Sequence, residues 1–342
     1  MSDFLRQALN GAVLDKEAAR CVFEQMTRGE LSEIEIAAFL GALHARGEQP
    51  SEIAGAAEAF RSAAQSFTTN AAGVIDVVGT GGDGVGTINI STASAFVAAS
   101  LGLKVAKHGN RAVSSKAGAA DLIEALGIPL DLSPASSAQL LERTGFCFLF
   151  AQKYHPAMRF VAPVRAALKN PTIFNLIGPL VNPAPLSYQI LGVGKRELLD
   201  DVARAVAALG LEHALVIHGS GTDEFAVHGP TEIREVIRGN ITSSTVTPEE
   251  LGITPAALSD LVGGDAQENL RLIMSIFEGK GTPAQREAIA ATTGAMLYVA
   301  GHCSSISEGT STALHHLSSG GVAAHLSTIV STARELKLQE EQ

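Results

Sequence analysis

The fold is decided by the stretch 76-DVVGTGGDGVGTINISTASAF-96, where an apolar run leads into a glycine-rich turn and then an alanine-rich segment. The pattern predicts a strand over 74–78, a turn, and a helix. We expect the helix to begin no earlier than Thr92, because 85–90 is rich in glycine and β-branched residues. Strand, glycine turn and helix in succession indicate an α/β domain with a mainly parallel sheet.

The glycines of this turn formally match G-x-G-x-x-G, the dinucleotide-binding pattern, through Gly79, Gly81 and Gly84. That pattern requires the third glycine to open the helix and an acidic residue to end the second strand. Here the helix starts later, and the next predicted strand, 103–106, leads into Lys107. The sequence therefore favours a loop whose backbone N–H groups and helix N-terminus bind phosphate groups.

The rest of the chain supports the same fold class. Short β-type runs alternate with helical runs, as expected for a parallel sheet. The further strands are predicted at 103–106, 146–150, 188–193 and 214–217, and the helices near 93–101, 120–126, 136–143, 197–209 and 266–278.

Residues 1–67 show helical spacing throughout, with Ser32 and Glu35 forming a capping box and no cluster of ionisable groups. We expect these helices to serve as scaffold or subunit interface. The predicted fold is α/β, with a small N-terminal helical domain over 1–67 and a large α/β domain over 73–342. A proline-rich crossover near 165–185 is expected to contribute to the helical domain.

Composition narrows the classes of protein. The 342 residues carry a net charge of −10, which argues against a general affinity for nucleic acid or anionic membranes. The three cysteines, Cys21, Cys147 and Cys303, are scattered and favour a reducing compartment over disulfides. The N-terminus lacks the apolar run of a signal peptide, and no long apolar segment follows. We expect a soluble, cytoplasmic protein with no membrane and no nucleic-acid partner.

The distribution of charge favours an anion site. No acidic residue lies between Asp83 and Asp121, although four basic residues do, and a second acid-free stretch runs over 143–196. Burial of these segments accounts for the missing acids but not for the remaining bases.

Five motifs resemble the anthranilate phosphoribosyltransferase family in their order and spacing. They are GTGGDG at 79–84, NIST at 89–92, KHGNR at 107–111, SSKAG at 114–118 and TIFNLIGPLVNP at 172–183. The resemblance covers nearly the whole chain and implies a fold like that of nucleoside phosphorylases and phosphoribosyltransferases.

The resemblance also implies an activity. The phosphoribosyl group of phosphoribosyl pyrophosphate is transferred to the amine of anthranilate, giving N-(5-phosphoribosyl)anthranilate and pyrophosphate in tryptophan biosynthesis. It implies a homodimer joined through the helical domain, small-molecule substrates as partners, and two Mg²⁺ ions per subunit. Carried over by matching position, the residues that bind phosphoribosyl pyrophosphate are Gly79, Gly82, Asp83, Thr87, Asn89, Ile90, Ser91, Thr92, Lys107, His108, Gly109, Asn110, Arg111, Ala112, Val113, Ser114, Ser115 and Ala119.

By the same resemblance, Ser91, Asp223 and Glu224 hold the metal. Mg²⁺ prefers oxygen ligands, and the acidic pair lies in 219-GSGTDEF-225, directly after an apolar strand. Adjacent acids in a loop are commonly only solvated, so this interpretation depends on the strand-end position and the family match. The chain departs from the family at Thr222, where leucine is frequent, and at Ala117, where serine is frequent.

Anthranilate is assigned to Gly79, Asn110 and Arg165, since a guanidinium can bind a carboxylate through two parallel hydrogen bonds. His108 and His155 remain open between a structural role and the lining of the acceptor path. Gly178 and Pro179 resemble the wall of that path.

The chemistry requires no nucleophilic side chain and no strong base, because an aromatic amine is unprotonated at neutral pH. Orientation of the substrates and stabilisation of the leaving pyrophosphate are expected to dominate. A pyrimidine nucleoside phosphorylase and a non-catalytic, nucleic-acid-binding relative are the alternatives. The KHGNR motif and the Asp-Glu pair favour the transferase over both.

Overall fold

A computed structural model of the protein describes residues 3–112 and 116–342. The predicted sites at Val113, Ser114 and Ser115 lie outside the described residues. The strands are β1 (Val74–Gly79), β2 (Lys104–Gly109), β3 (Phe146–Phe150), β4 (Leu186–Gly192), β5 (His213–Gly219), β6 (Thr231–Ile237) and β7 (Asn240–Val246). The helices are α1 (Asp3–Leu9), α2 (Lys16–Thr27), α3 (Glu33–Arg46), α4 (Pro50–Ser62), α5 (Ile90–Ser100), α6 (Ala119–Ala125), α7 (Pro134–Thr144), α8 (Ala151–Tyr154), α9 (Ala162–Leu168), α10 (Phe174–Ile177), α11 (Leu199–Ala207), α12 (Ala266–Phe277), α13 (Pro283–Val299), α14 (Ile306–Ser318) and α15 (Gly321–Glu340). Short 3-10 turns lie at Pro156–Phe160, Gly178–Leu180, Arg196–Leu198 and Leu258–Leu261.

The strands form one sheet in the order β3-β2-β1-β4-β5-β6-β7. Strands β1 to β5 run parallel, and β6 and β7 add an antiparallel hairpin at one edge. The chain builds outward from β1 to β3 and then returns to place β4 on the other side of β1. The direction in which successive strands are added therefore changes between β1 and β4. In parallel sheets of this kind, ligands bind in the crevice at such a point, at the carboxyl ends of the strands.

Both faces of the sheet are buried. On one face, Ile190 and Ile217 pack in a core with α5, α6 and the C-terminal helices. On the other, Leu191 and Val216 share a core with the N-terminal helices and with residues of α11. Strands covered on both sides read as continuous apolar runs, which is why the sequence reveals the parallel strands clearly. The α/β fold with an N-terminal helical bundle is confirmed.

Several boundaries differ from expectation. Helix α5 begins at Ile90, two residues before Thr92, because the β-branched residues at its start pack into the core. Strand β2 continues to Gly109, so Lys107 lies within the strand rather than after it. The hairpin of β6 and β7 was not predicted, since the exposed edge strand β7 has a polar sequence, NITSSTV.

The capping box of Ser32 and Glu35 is present at the start of α3. The N-terminal helices also hold a buried carboxylate in an ion pair that the sequence did not predict. Glu52 is fully buried, and its carboxylate accepts hydrogen bonds from Arg46 Nη2 at 2.7 Å and from the backbone N–H of Leu14 at 3.0 Å. An ion pair inside an alanine-rich bundle leaves no periodic signal in the sequence.

Within residues 3–112 and 116–342, no helix has both the length and the apolar content needed to cross a membrane.

Candidate active site

Two glycines form the floor of the site at the carboxyl ends of β1 and β4. Gly79 and Gly192 are register partners across the two strands, and the loop carrying Asp223 crosses directly over both. A Cβ atom on Gly79 would overlap the Asp223 carboxylate, and one on Gly192 would overlap the Asp223 carbonyl group. The loop approaches the sheet this closely only because both positions lack a side chain.

A tight turn at the end of β5 presents the acidic pair. Gly219 and Thr222 exchange two backbone hydrogen bonds of 3.0 Å, and Thr222 Oγ1 donates to the Gly219 carbonyl oxygen at 2.8 Å. The buried hydroxyl of Thr222 thus closes the turn, which gives this departure from the family pattern a structural role. The backbone N–H of Gly81 donates to Asp223 Oδ2 at 2.7 Å and ties the pair to the glycine-rich turn.

Three carboxylates lie close together here. Burial, followed by repulsion from the nearby Asp83 carboxylate, raises the pKa of Asp223 to about 6. Burial, followed by repulsion from Asp223, raises the pKa of Glu224 to about 8. Glu224 Oε1 accepts from the backbone N–H of Ser91 at 3.2 Å, in the first turn of α5.

This donor set fits Mg²⁺. The ion is commonly held by one or two carboxylates together with phosphate oxygens and water. Asp223 and Glu224 are half-buried carboxylates whose pKa values are raised by desolvation and by repulsion between acidic groups, which a bound cation would relieve. Ser91 is adjacent to them, because its backbone N–H bonds to Glu224. Among the described residues, no group of three His, Cys, Asp or Glu side chains is placed to hold a metal.

Lys107 places a basic side chain from strand β2 near the acidic pair. Its side chain is buried, and Nζ donates to the Val77 carbonyl oxygen at 2.6 Å and to Ser91 Oγ at 3.4 Å. Burial lowers the pKa of Lys107, while Asp76, Glu224 and Asp223 raise it. The Lys107 side chain therefore lies close enough to the acidic pair to interact with it electrostatically.

Asp76 and Asn182 support this arrangement and were missed by the sequence analysis. Asn182 Nδ2 donates to Asp76 Oδ2 and to the Ala106 carbonyl oxygen, both at 2.8 Å. The backbone N–H of His108 approaches Asp76 Oδ1 at 3.4 Å. Burial raises the pKa of Asp76 to about 6, with Lys107 opposing the shift. A lone aspartate within the apolar run 74–78 was the available signal.

His108 and His155 form a buried pair with ring centroids 5.1 Å apart. Burial lowers the pKa of His108 to about 3 and that of His155 to about 4. Both imidazoles are therefore neutral at pH 7. His108 faces the carbonyl group of Gly178, at the start of the 3-10 turn at Gly178–Leu180.

The segment after β2 is anchored at the N-terminus of α6. Asp121 Oδ2 accepts from the backbone N–H groups of Ala112 at 3.0 Å and Gly118 at 2.8 Å. Arg111 forms ion pairs with Asp121 and Glu124 at 3.0 and 2.8 Å. Asn110 Oδ1 accepts from the backbone N–H of Arg111 at 2.8 Å.

Arg165 lies in α9, with its guanidinium carbon 5.4 Å from the centre of the Phe174 ring. Burial lowers the pKa of Arg165, and no acidic side chain of the described residues opposes that shift. A half-buried guanidinium without an acidic partner is suited to bind the carboxylate of a ligand.

The other predicted site residues lie around the same crevice. Gly82 and Asp83 belong to the glycine-rich turn, and Thr87 forms a β-bridge with Val262. Asn89 caps α5, which Ile90, Ser91 and Thr92 open, Gly109 ends β2, and Ala119 opens α6. Gly81 and Ser91, in two of these segments, donate backbone hydrogen bonds to Asp223 and to Glu224.

Comparison with known proteins gives a consistent result. The α/β domain of the glycosyl transferase family matches residues 71–323, and the helical bundle domain of that family matches residues 2–64. The anthranilate phosphoribosyltransferase of Idiomarina loihiensis is 46% identical over 322 residues, covering 94% of this chain and 96% of the relative. That of Aeromonas hydrophila is 45% identical over 332 residues, covering 96% and 97%.

Solved structures agree. The crystal structure of anthranilate phosphoribosyltransferase from Thermus thermophilus has a TM-score of 0.93 and 44% identity, and covers 97% of this chain and all of its own. The Saccharomyces cerevisiae enzyme in complex with PRPP and Mg has a TM-score of 0.89 and 26% identity, covering 97% of both chains.

Proposed function

Because this chain belongs to the anthranilate phosphoribosyltransferase family, we propose that the crevice above β1 and β4 carries out the reaction of that family. The enzyme transfers the phosphoribosyl group of phosphoribosyl pyrophosphate to the amine of anthranilate in tryptophan biosynthesis, and pyrophosphate leaves. The observation that carries the assignment to this crevice is the glycine floor, which brings the Asp223–Glu224 turn against the glycine-rich loop and the start of α5.

The donor is proposed to lie between the glycine-rich turn, the start of α5 and the segment after β2. Backbone N–H groups of the turn and the N-terminus of α5 face phosphate oxygens, where the helix dipole favours negative charge. Asp223, Glu224 and Ser91 would hold Mg²⁺, with two ions per subunit as the proposed number. The bound ions would neutralise the charge that develops on the leaving pyrophosphate.

The acceptor is proposed to lie between Arg165, Asn110 and Gly79. Arg165 would bind the carboxylate of anthranilate, and the neutral His108 and His155 would line an uncharged path for the flat ring. The amine then attacks the anomeric carbon of the ribose, the bond to pyrophosphate breaks, and the amine proton passes to solvent. No side chain forms a covalent bond.

Three broader assignments complete the proposal. The helical domain over 1–67, joined by the crossover near 165–185, is supported by a shared core that includes Phe23 and Phe174, whose rings lie 6.2 Å apart. A homodimer through this domain is supported by exposed apolar side chains such as Ile34, which is 82% accessible. A cytoplasmic location is supported by the three free cysteines.

The direct test of function is loss of anthranilate fluorescence on mixing the protein with phosphoribosyl pyrophosphate and Mg²⁺. We expect the loss to require all three additions. Unchanged fluorescence with a folded protein would refute the proposed function.

Replacing Arg165 by alanine is expected to weaken the use of anthranilate and to spare donor binding. Loss of a desolvated ion pair to a ligand costs about 2 kcal/mol or more, which is about 30-fold in KM. The matched control is Arg159→Ala, because Arg159 stacks on Phe160 at 4.7 Å in the same segment but is exposed. A variant with a weakened donor affinity and an unchanged KM for anthranilate would show that Arg165 serves the other substrate.

The stability of the metal-free protein is expected to fall as pH rises through the pKa values of the acidic pair. These values, about 6 for Asp223 and about 8 for Glu224, are raised above the unfolded range, so the folded protein holds protons that the unfolded chain releases. Asp76 adds to the effect near pH 6. Mg²⁺ binds the deprotonated carboxylates, so its stabilising effect should grow over the same range.

Thermal unfolding with EDTA or Mg²⁺ at about pH 5.5 and about pH 8.5 checks both trends. The control is the Asp223→Asn, Glu224→Gln double variant, in which both trends should shrink. An increase in melting temperature with Mg²⁺ that is larger at the lower pH would contradict this expectation.

A further inference from the structure

Asn269 connects α12 to the proposed donor site. It lies in the first turn of that helix and is 2% exposed. Its Oδ1 accepts from the backbone N–H of Gly264 at 2.8 Å, and its Nδ2 donates to Asn89 Oδ1 at 2.9 Å. A buried amide side chain with both ends bonded holds its neighbours in one arrangement.

The polarity of these bonds has only one consistent solution. The N–H of Gly264 can only donate, so the atom of Asn269 that faces it is the oxygen. The NH₂ group of Asn269 must then face an acceptor, which is the oxygen of Asn89. The NH₂ group of Asn89 in turn faces the Ala117 carbonyl oxygen at 3.2 Å. Backbone groups fix both ends of this relay, so the Asn89 amide cannot flip without breaking two bonds.

The backbone at 261–263, before Asn269, is also hydrogen-bonded to 86–88, the segment that leads into Asn89. The N–H of Ile88 donates to the Leu261 carbonyl oxygen at 2.8 Å, and the N–H of Gly263 donates to the Gly86 carbonyl oxygen at 3.0 Å. A Cβ atom on Gly263 would lie 2.5 Å from Asn269 Oδ1 and 3.0 Å from the nitrogen of Ile88. Gly263 thus permits the close approach of Asn269 to this segment. The hydrogen bonds between Asn269 and Asn89 therefore lie against backbone that is itself held in place.

We propose that Asn269 is a positioning residue for the phosphoribosyl donor. It sets the orientation of the Asn89 amide, so that an NH₂ group rather than an oxygen is presented to the donor's pyrophosphate. The NH₂ group of Asn89 has two hydrogens, one of which binds the Ala117 carbonyl oxygen and one of which serves a phosphate oxygen. This inference rests on the proposed assignment of Asn89 to the pyrophosphate.

Two variants of Asn269 test the relay. Asn269→Asp keeps the acceptor for Gly264 but places an oxygen against Asn89 Oδ1, which forces the Asn89 amide to flip. Asn269→Ala removes the bond to Asn89 without adding charge, so it separates loss of orientation from electrostatic repulsion of the pyrophosphate. The matched control is Asp265→Ala, which removes the N-cap hydrogen bond that the Glu268 N–H donates to Asp265 Oδ1 at 2.9 Å and weakens α12 without touching Asn89.

The measurement is the dissociation constant of phosphoribosyl pyrophosphate with Mg²⁺, by calorimetry without anthranilate, alongside the KM for anthranilate and the melting temperature. We expect the donor dissociation constant to rise about tenfold or more in Asn269→Asp and severalfold in Asn269→Ala. The KM for anthranilate should stay within about twofold. Asp265→Ala should lower the melting temperature and leave donor binding unchanged.

Two results would overturn the inference while the proposed function stands. One is an active wild type whose donor affinity is the same in both Asn269 variants. The other is a loss of donor affinity in Asp265→Ala equal to that in Asn269→Ala, because the role would then be only structural. A wild-type protein that binds no donor and consumes no anthranilate would instead refute the proposed function and this inference with it.

Discussion

Replacing Asp223 by asparagine and Glu224 by glutamine together is expected to abolish turnover at ordinary Mg²⁺ concentrations while the fold survives. Both substitutions keep the size of the side chain and remove its charge. Loss of metal-assisted stabilisation of a leaving pyrophosphate costs about 4 kcal/mol or more, which is about a thousandfold in rate. The melting temperature in EDTA should not fall, because desolvation and mutual repulsion disfavour the charged forms of both carboxylates in the wild type.

The rate is measured by anthranilate fluorescence across a Mg²⁺ titration. The matched control is the double substitution of Glu249 and Glu250 by glutamine, an adjacent acidic pair that is exposed to solvent. It should keep the wild-type rate. If the Asp223, Glu224 double variant kept that rate at every Mg²⁺ concentration, the metal would have to bind elsewhere.

Gly192→Ala is expected to cause the second large loss. The added methyl group would overlap the carbonyl group of Asp223, which is backbone and has no rotamer to change. The acidic turn must therefore move away from the sheet, and the bond from the Gly81 N–H to Asp223 Oδ2 is lost. A displacement of about 1 Å at a catalytic centre costs about a hundredfold in rate.

The expected cost in the free energy of unfolding is smaller, about 1–3 kcal/mol for overpacking. Activity should thus fall far more than stability, as measured by fluorescence assay and thermal unfolding. Gly41→Ala is the matched control, since a Cβ atom there meets no other atom and the position lies within α3. A Gly192→Ala enzyme as active as Gly41→Ala would show that the turn does not need its close approach to β4.

The parts of the site that the sequence predicted are those encoded over a few neighbouring positions. The glycine-rich turn follows an apolar strand directly, and the Asp223–Glu224 pair follows another, so both are local patterns that place polar groups at strand ends. Gly79 was assigned by family likeness, and its contact with the Asp223 carboxylate explains the need for glycine at that position.

The remaining parts depend on contacts between distant segments. Asp76 meets Asn182 across 106 positions of the chain, and Asn89 meets Asn269 across 180. Such pairs form because of the order of strands in the sheet and the packing of α12. Neither feature changes the hydrophobic periodicity of the sequence near these residues, so the sequence does not predict the contacts. Gly192 shows the same limit, because its partner above the sheet is known only once β4 lies beside β1.

The pairing of 86–88 with 261–263 has a consequence for synthesis of the protein on the ribosome. The Asp223–Glu224 pair and every strand of the sheet are made before the chain reaches Leu258, where the short turn that leads to Gly263 begins. A chain that stalls there carries the acidic pair but has not yet placed 261–263 against 86–88. Contacts between distant segments form slowly, since the loop-closure entropy is lost before the contacts compensate for it. We therefore expect ribosome-bound chains to acquire donor affinity only after α12 has emerged, long after the N-terminal helices have left the exit tunnel.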